Sequence, residues 1–129
     1  MSVELWLLAA TVVLGLAQIG LASLVAKKPN GIAWSVGERD EPRPVIGVAA
    51  RLERAQRNLM ETLPFFVAAI LLVHVAGRET WLSALGAHLY FWGRLAYVPA
   101  YAAGVPWVRS VLWNVATLGI VLVLASLLL

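Results

Sequence analysis

Ionisable side chains lead directly into an apolar segment between residues 51 and 66, and they are the side chains of this chain best suited to chemistry. At the helical spacing of about 100° per residue, four of them and one carboxamide fall within roughly 120° of one another. These five are Arg51, Arg54, Arg57, Asn58 and Glu61. Three guanidiniums, a carboxamide and a carboxylate on one face provide forked donors with a counter-charge. Such a set suits a ligand that carries carboxylates.

The same arginines have a second interpretation, as topology signals and headgroup anchors. Lys and Arg gather at the cytoplasmic ends of membrane helices, where their side chains reach toward the headgroups. Glu61 lies one turn further into the apolar region, where a carboxylate is costly unless it is paired. Arg57 and Asn58, four and three residues earlier, are within side-chain reach of it. The position of Glu61 therefore favours a binding site.

A second polar stripe is predicted on a later helix, formed by Tyr90, Arg94, Tyr97 and Tyr101. Their spacings of four, three and four place them within about 60° of one face. An aromatic belt at the membrane interface rings a helix and does not bring an arginine to the same side, so the stripe favours a site.

The two histidines are not predicted to bind metal. His88 points away from this stripe, and His74 is predicted to lie at the membrane interface. No second ligand with suitable spacing accompanies His74, and no metal site is predicted.

The composition is that of an integral membrane protein. Of 129 residues, 61% are hydrophobic and 13% are charged, which is too apolar for an ordinary soluble domain. No signal peptide is evident, because the start lacks a basic region and the first apolar run is long enough to span. The net charge of +3 fits membrane topology better than nucleic-acid binding. The absence of cysteine means that any thiol chemistry must use a thiol supplied by a substrate.

Hydropathy and turn residues predict one all-α domain over residues 1–129, a bundle of four transmembrane helices. The helices are expected near residues 4–26, 46–76, 81–102 and 107–129. The connection 27–46 is rich in basic residues, so the positive-inside rule places it in the cytoplasm and both termini outside. Arg109 then returns to the same membrane level as the arginine stripe.

Two parts of the sequence resemble the MAPEG family of membrane-associated proteins in eicosanoid and glutathione metabolism. Residues 53–62, Glu-Arg-Ala-Gln-Arg-Asn-Leu-Met-Glu-Thr, are similar to the signature of its second helix. Residues 93–97 and the pair Arg109-Ser110 are similar, more loosely, to its third and fourth helices. The likeness covers most of the chain and is that of a bacterial-type member, which implies the inner or cell membrane.

The resemblance implies a homotrimer that holds glutathione between subunits near the cytoplasmic face. Arg54, Arg57, Asn58 and Glu61 would bind the carboxylates and amine of glutathione. The pocket would be lined by Tyr97 and Tyr101.

The resemblance also implies that Arg109 and Ser110 lie at the thiol. Two positions depart from the prostaglandin synthases of the family, which have a histidine at the position of Tyr97 and an aromatic hydroxyl at that of Trp113. The arginine that those synthases carry late in the first helix is also missing.

Three functions follow from these observations. The first is a glutathione-dependent membrane transferase or peroxidase that acts on lipophilic electrophiles, with Arg109 and Ser110 as catalytic residues because a fixed cation and a hydroxyl donor stabilise a thiolate. The second is a non-catalytic lipid-binding or scaffold protein of the same fold. Such a protein does not need residues that bind glutathione, so the presence of these residues argues against it. The third is a small four-helix transporter, although Glu61 lies far from mid-span, where transporters place acidic sites.

Overall fold

The computed structural model describes residues 1–30 and 47–129, and within them the chain forms four long helices. They are α1 (Val3–Asn30), α2 (Gly47–Val75), α3 (Trp81–Ala102) and α4 (Pro106–Ala125), followed by a short 3-10 turn at Ser126–Leu128. The prediction of a four-helix, all-α fold is confirmed. Successive helices are antiparallel, so the start of α2, the end of α3 and the start of α4 meet at one end of the bundle, called here the cleft end.

The first helix is longer than predicted. It continues to Asn30, four residues past the expected end at Ala26, so the first part of the expected loop is helical. Ala26 ends the apolar run but not the helix, because lysine is a good helix former and a helix can leave the apolar layer intact. The remainder of the predicted loop, residues 31–46, lies outside the described residues, and its cytoplasmic location stays a prediction.

Glycines and a threonine define the helix ends. Gly77 follows α2 with a φ of +68°, and the amide of Arg78 donates to the carbonyl of Val73, which closes the helix end. Thr80 caps the start of α3, with its hydroxyl accepting from the Leu82 amide at 3.2 Å. Gly104, at φ +73°, turns the chain from α3 into α4. These short turns hold α2, α3 and α4 in register.

The core lies between α2, α3 and α4. Leu59, Phe66 and Ile70 of α2 are fully buried against Tyr90 of α3 and Val123 of α4. In contrast, about a third or less of the side chains in the most apolar segments of α1, α2 and α4 are buried. Apolar side chains that face outward on this scale require a lipid environment or a neighbouring subunit.

Within residues 1–30 and 47–129, three helical segments are long and apolar enough to cross a membrane: Val3–Val25, Gly47–Val75 and Pro106–Leu128. At 22 residues α3 is also long enough to cross about 30 Å of hydrocarbon. Its hydropathy is lower because it carries Arg94, His88 and three tyrosines. The polar side chains predicted for a site thus reduce the membrane signal of the helix that carries them.

Glycines bring α3 and α4 into direct backbone contact. A Cβ on Gly86 would collide with the carbonyl oxygen of Gly119, and one on Gly119 would lie 2.8 Å from the Tyr90 amide nitrogen. Gly93 lies against Ala116, about two turns nearer the cleft end than Gly86. Glycine permits this approach because it has no side chain. The close contact places the start of α4 beside the last turns of α3.

Candidate functional site

An open cleft of about 490 Å³ lies at the cleft end, between α2, α3 and α4. Its size is within the usual range for small-molecule sites, about 300–1,000 Å³. Ten residues line it: Arg54, Arg57, Asn58, Glu61, Tyr97, Tyr101, Arg109, Ser110, Trp113 and Asn114. The structure therefore brings together eight of the residues predicted for the site, from three different helices.

Tyr101 links the three helices at the mouth of the cleft. The Nε of Arg54 donates to the Tyr101 hydroxyl at 3.2 Å, and the guanidinium carbon of Arg109 lies 4.7 Å from the centre of the Tyr101 ring. Tyr97 is buried one turn deeper, with its ring centre 5.5 Å from that of Tyr101. Both cations contact one aromatic ring, which fixes the geometry of the cleft, and both guanidiniums line it.

Arg57 and Glu61 do not form the pair that their spacing suggested. The Nη2 of Arg57 lies 3.2 Å from Oε1 of Glu53, and both side chains are largely exposed. An acid four residues before a base is the favourable order on a helix, so Glu53 competes successfully for Arg57. Glu61 is exposed, and no ion pair within residues 1–30 and 47–129 includes it. Its carboxylate is therefore available to a cationic group of a ligand.

Arg51 was predicted for the site but does not line the cleft. Its Nε donates to the Ala102 carbonyl at 2.9 Å. That carbonyl belongs to the last turn of α3, where backbone acceptors lack helical partners and the helix dipole is negative. Arg51 is the first residue of the arginine stripe, and its side chain caps the C-terminal end of α3.

Tyr90 and Arg94 also lie outside the cleft wall, deeper along α3. Tyr90 is fully buried, with its hydroxyl 2.9 Å from that of Thr62 and its ring stacked on Phe66 at 4.1 Å between ring centres. Arg94 is 1% exposed and contacts two side chains of the cleft wall from behind, Asn58 and Tyr97. Both residues are on the predicted face of α3, but α2 packs closely over that face at their depth.

The α4 wall includes a residue that the sequence reasoning missed. Arg109 and Ser110 lie at the start of α4 and line the cleft. Asn114 lies on the same face one turn later, and its Nδ2 donates to the Ser110 carbonyl at 2.8 Å. The available signal was an amide four residues after Ser110 in an otherwise apolar helix.

A second, apolar cleft of about 520 Å³ continues along α2 and α4 from the polar one. Glu61 and Trp113 line both clefts. Beyond them the walls are mostly aliphatic or aromatic, including Phe65, Leu72 and Val121. A polar ligand and an apolar one could therefore lie side by side, in contact at the level of Glu61 and Trp113.

Comparison with known proteins identifies the family. The model of the MAPEG family matches residues 7–129, nearly the whole chain. The chain belongs to the MAPEG family. No curated protein matches at the threshold used for that comparison. MAPEG proteins are helical membrane bundles, and this one is an integral membrane protein.

The polar cleft has the donor set that glutathione requires. Glutathione carries two carboxylates, an ammonium group and a thiol. The cleft of this MAPEG protein offers Arg54, Arg57 and Arg109 to carboxylates or a thiolate, and Glu61 to an ammonium group. The fit rests on this chemistry and on the open volume between the three helices.

Proposed function

We propose that this MAPEG protein is a glutathione-dependent membrane transferase or peroxidase that acts on lipophilic electrophiles. The observation that carries the proposal is the junction of the two clefts at Glu61 and Trp113. A water-soluble peptide with two carboxylates suits the cationic cleft. A molecule dissolved in the bilayer suits the apolar cleft. The peptide could then enter from water and the electrophile from the bilayer, and they would meet where the two clefts join.

In this proposal Arg109 and Ser110 activate the thiol. A free thiol has a pKa of about 8.5, so a small fraction is thiolate at neutral pH, and the thiolate is the nucleophile. Arg109 keeps its positive charge and lies at the start of α4, whose dipole adds positive potential. The Ser110 hydroxyl can donate a hydrogen bond to sulfur. In the transferase reaction the thiol proton leaves to water in the open cleft, the sulfur forms a bond to the electrophilic carbon, and the leaving group departs with the bonding electrons.

We also propose that the chain works as a homotrimer, with the site completed at a subunit interface. Glu61 and Arg57 are exposed in the single subunit, and the apolar cleft beside them is open along one side. A charged group that faces lipid is costly, up to roughly 2.5–3.5 kcal/mol at a helix centre on insertion scales, so a neighbouring subunit is a better cover for these side chains. Native mass spectrometry in mild detergent should give a trimer. Monomers or dimers alone would contradict it.

The orientation is proposed from charge, with the cleft end and the 27–46 connection facing the cytoplasm. A protease added to intact cells should then fail to cut a site engineered at Gly37. Cleavage there, with protection of a site engineered at Arg78, would reverse the topology.

Calorimetric titration of glutathione into the purified protein tests the main proposal. Binding is expected in wild type and in Arg78→Ala, a variant that removes the same charge at the opposite end of the bundle. Turnover of a model lipophilic electrophile with glutathione then separates an enzyme from a non-catalytic lipid-binding protein. No heat of binding in either protein would overturn the proposed function.

A further inference from the structure

Arg94 is a buried cation that the proposed chemistry does not use directly. It is 1% exposed and is not part of the cleft wall, so it has no access to a ligand there. Its Nη1 donates to Oδ1 of Asn58 at 2.8 Å, and its guanidinium carbon lies 4.1 Å from the centre of the Tyr97 ring. Its Nε and Nη2 have no hydrogen-bond partner among the described residues. The Asn58 oxygen is therefore its one hydrogen-bond acceptor in this part of the chain.

The contact with Arg94 fixes which atom of the Asn58 amide faces which way. A guanidinium has donors and no acceptor, so the Asn58 atom that it contacts must be the carbonyl oxygen. This chemical constraint assigns the amide without any need to distinguish oxygen from nitrogen by position. A flipped amide would set NH₂ against a buried cation and lose a charge-assisted hydrogen bond, which is about twice as strong as a neutral one.

The fixed amide leaves the NH₂ group of Asn58 for the cleft. Asn58 is half-buried and lines the cleft, with its oxygen held on the side of Arg94. We propose that Arg94 is a positioning residue, which makes Asn58 a dedicated hydrogen-bond donor and so sets a requirement for an acceptor on the ligand. A carboxylate or a peptide carbonyl meets this requirement, and an ammonium group does not. This inference rests on the proposed function, because glutathione is its probe.

The proposal predicts that residue 58 must present a hydrogen-bond donor, not an acceptor, to the ligand. Asn58→Asp keeps an acceptor for Arg94 but presents a second carboxylate oxygen to the ligand in place of N–H. Glutathione should then bind more weakly than to Asn58→Ala, which removes the donor without adding a negative charge. We expect a loss of about tenfold for Asn58→Ala and a larger one for Asn58→Asp. Wild-type affinity in Asn58→Asp would overturn the assignment.

A double-mutant cycle separates positioning from mere structural support. Arg94→Leu should weaken glutathione about tenfold in the wild-type background and have no further effect in the Asn58→Ala background. Arg94→Lys, whose ammonium group reaches nearly as far and can still donate to the Asn58 oxygen, should restore most of the affinity. Both variants are expected to fold, because leucine avoids the desolvation of a guanidinium and lysine keeps the native charge and acceptor. Equal losses in both backgrounds, with wild type binding normally, would overturn the inference and leave the proposed function intact.

A measurement without ligand tests the positioning if glutathione fails to bind. The chain has three asparagines, Asn30, Asn58 and Asn114, so selective ¹⁵N-asparagine labelling gives three side-chain amide signals. The signal that disappears in Asn58→Ala belongs to Asn58. It should move in Arg94→Leu and return toward its wild-type position in Arg94→Lys. A signal unchanged by Arg94→Leu would show that Arg94 does not hold the amide.

Discussion

The two ends of the helix bundle use polar side chains in opposite ways. At the opposite end from the cleft, the Ser83 hydroxyl donates to Oε1 of Glu4 at 2.6 Å, and Glu4 and Ser83 are both buried. Glu79 accepts from the Ser2 hydroxyl at 2.5 Å and lies 3.1 Å from Nδ1 of His74. Each of these groups has a partner within the same chain. At the cleft end, Glu61, Arg54 and Arg109 line an open cleft.

The difference separates polar groups that hold helices together from those available to a ligand. The Glu4 and Ser83 contact joins α1 to the start of α3, where the helix dipole favours a carboxylate. Arg54 and Arg109 both contact Tyr101, and each still has N–H groups that can donate to a ligand. Mutations at the opposite end should therefore change stability, and mutations at the cleft should change binding or catalysis.

The largest effect on catalysis is expected for Arg109→Ala. If Arg109 lowers the thiol pKa by about two units, it supplies about 2.7 kcal/mol of preference for the thiolate. The variant should bind glutathione but lose the ultraviolet thiolate signal, and conjugation of a model electrophile should fall about 25-fold at pH 7, because the thiolate fraction falls by that factor. Arg78→Ala is the matched control, with one charge removed at the opposite end. If Arg109→Ala keeps both the ultraviolet thiolate signal and the wild-type conjugation rate, Arg109 takes no part in the mechanism.

The largest effect on binding is expected in Arg54→Ala and Glu61→Ala. Each removes one partner of a charge-assisted contact with the ligand, which should cost about 2–4 kcal/mol, or thirtyfold or more in affinity. The thermal midpoint should change little, because both side chains are exposed in the subunit. Calorimetry gives the affinity and circular dichroism the midpoint. Equal affinity in wild type and both variants would make the arginine stripe a topology signal.

Ser83→Ala should show the reverse pattern. It leaves the buried carboxylate of Glu4 without its hydroxyl donor and removes part of the α3 cap, so the free energy of unfolding should fall by about 1–3 kcal/mol. Glutathione affinity should not change. Ser110→Ala is the matched control, because the Ser110 hydroxyl is exposed in the cleft. A loss of affinity in Ser83→Ala that matches Arg54→Ala would mean that the two ends are coupled.

The smallest expected effect is a pH dependence of stability at the opposite end. The hydrogen bond from the Ser2 hydroxyl, aided by His74, lowers the pKa of Glu79. A lowered pKa in the folded state adds stability above the unfolded value, about 4.3 for glutamate, and this stability is lost as pH falls through the folded pKa. Thermal midpoints between pH 6 and 3 should therefore fall less steeply in Ser2→Ala than in wild type. Identical slopes would show that the Ser2 contact is absent in solution.

Much of the site could be read from periodicity. The helical spacing of Arg54, Arg57, Asn58 and Glu61 placed them on one face, and the structure puts all four in one cleft. The four residues of the α3 stripe do lie on one face of the helix, but Tyr90 and Arg94 lie too far along it to line the cleft. Tyr90 lies eleven residues before Tyr101, about 16 Å along the helix, where Phe66 and Thr62 cover it. Periodicity gives the direction of a side chain and does not give what packs over it.

Composition and hydropathy by themselves determined that this chain forms apolar helices for a membrane, because the apolar runs and the turn residues between them are local properties. The two polar faces were also determined by the sequence, since residues three and four apart share a side of any helix. Tertiary structure alone decided which of these residues form the cleft. The close approach of Gly86 and Gly119 sets α4 against α3 and carries Arg109 to Tyr101. Contacts between residues so distant in sequence depend on how whole helices pack, and no local pattern encodes the distance between two helices.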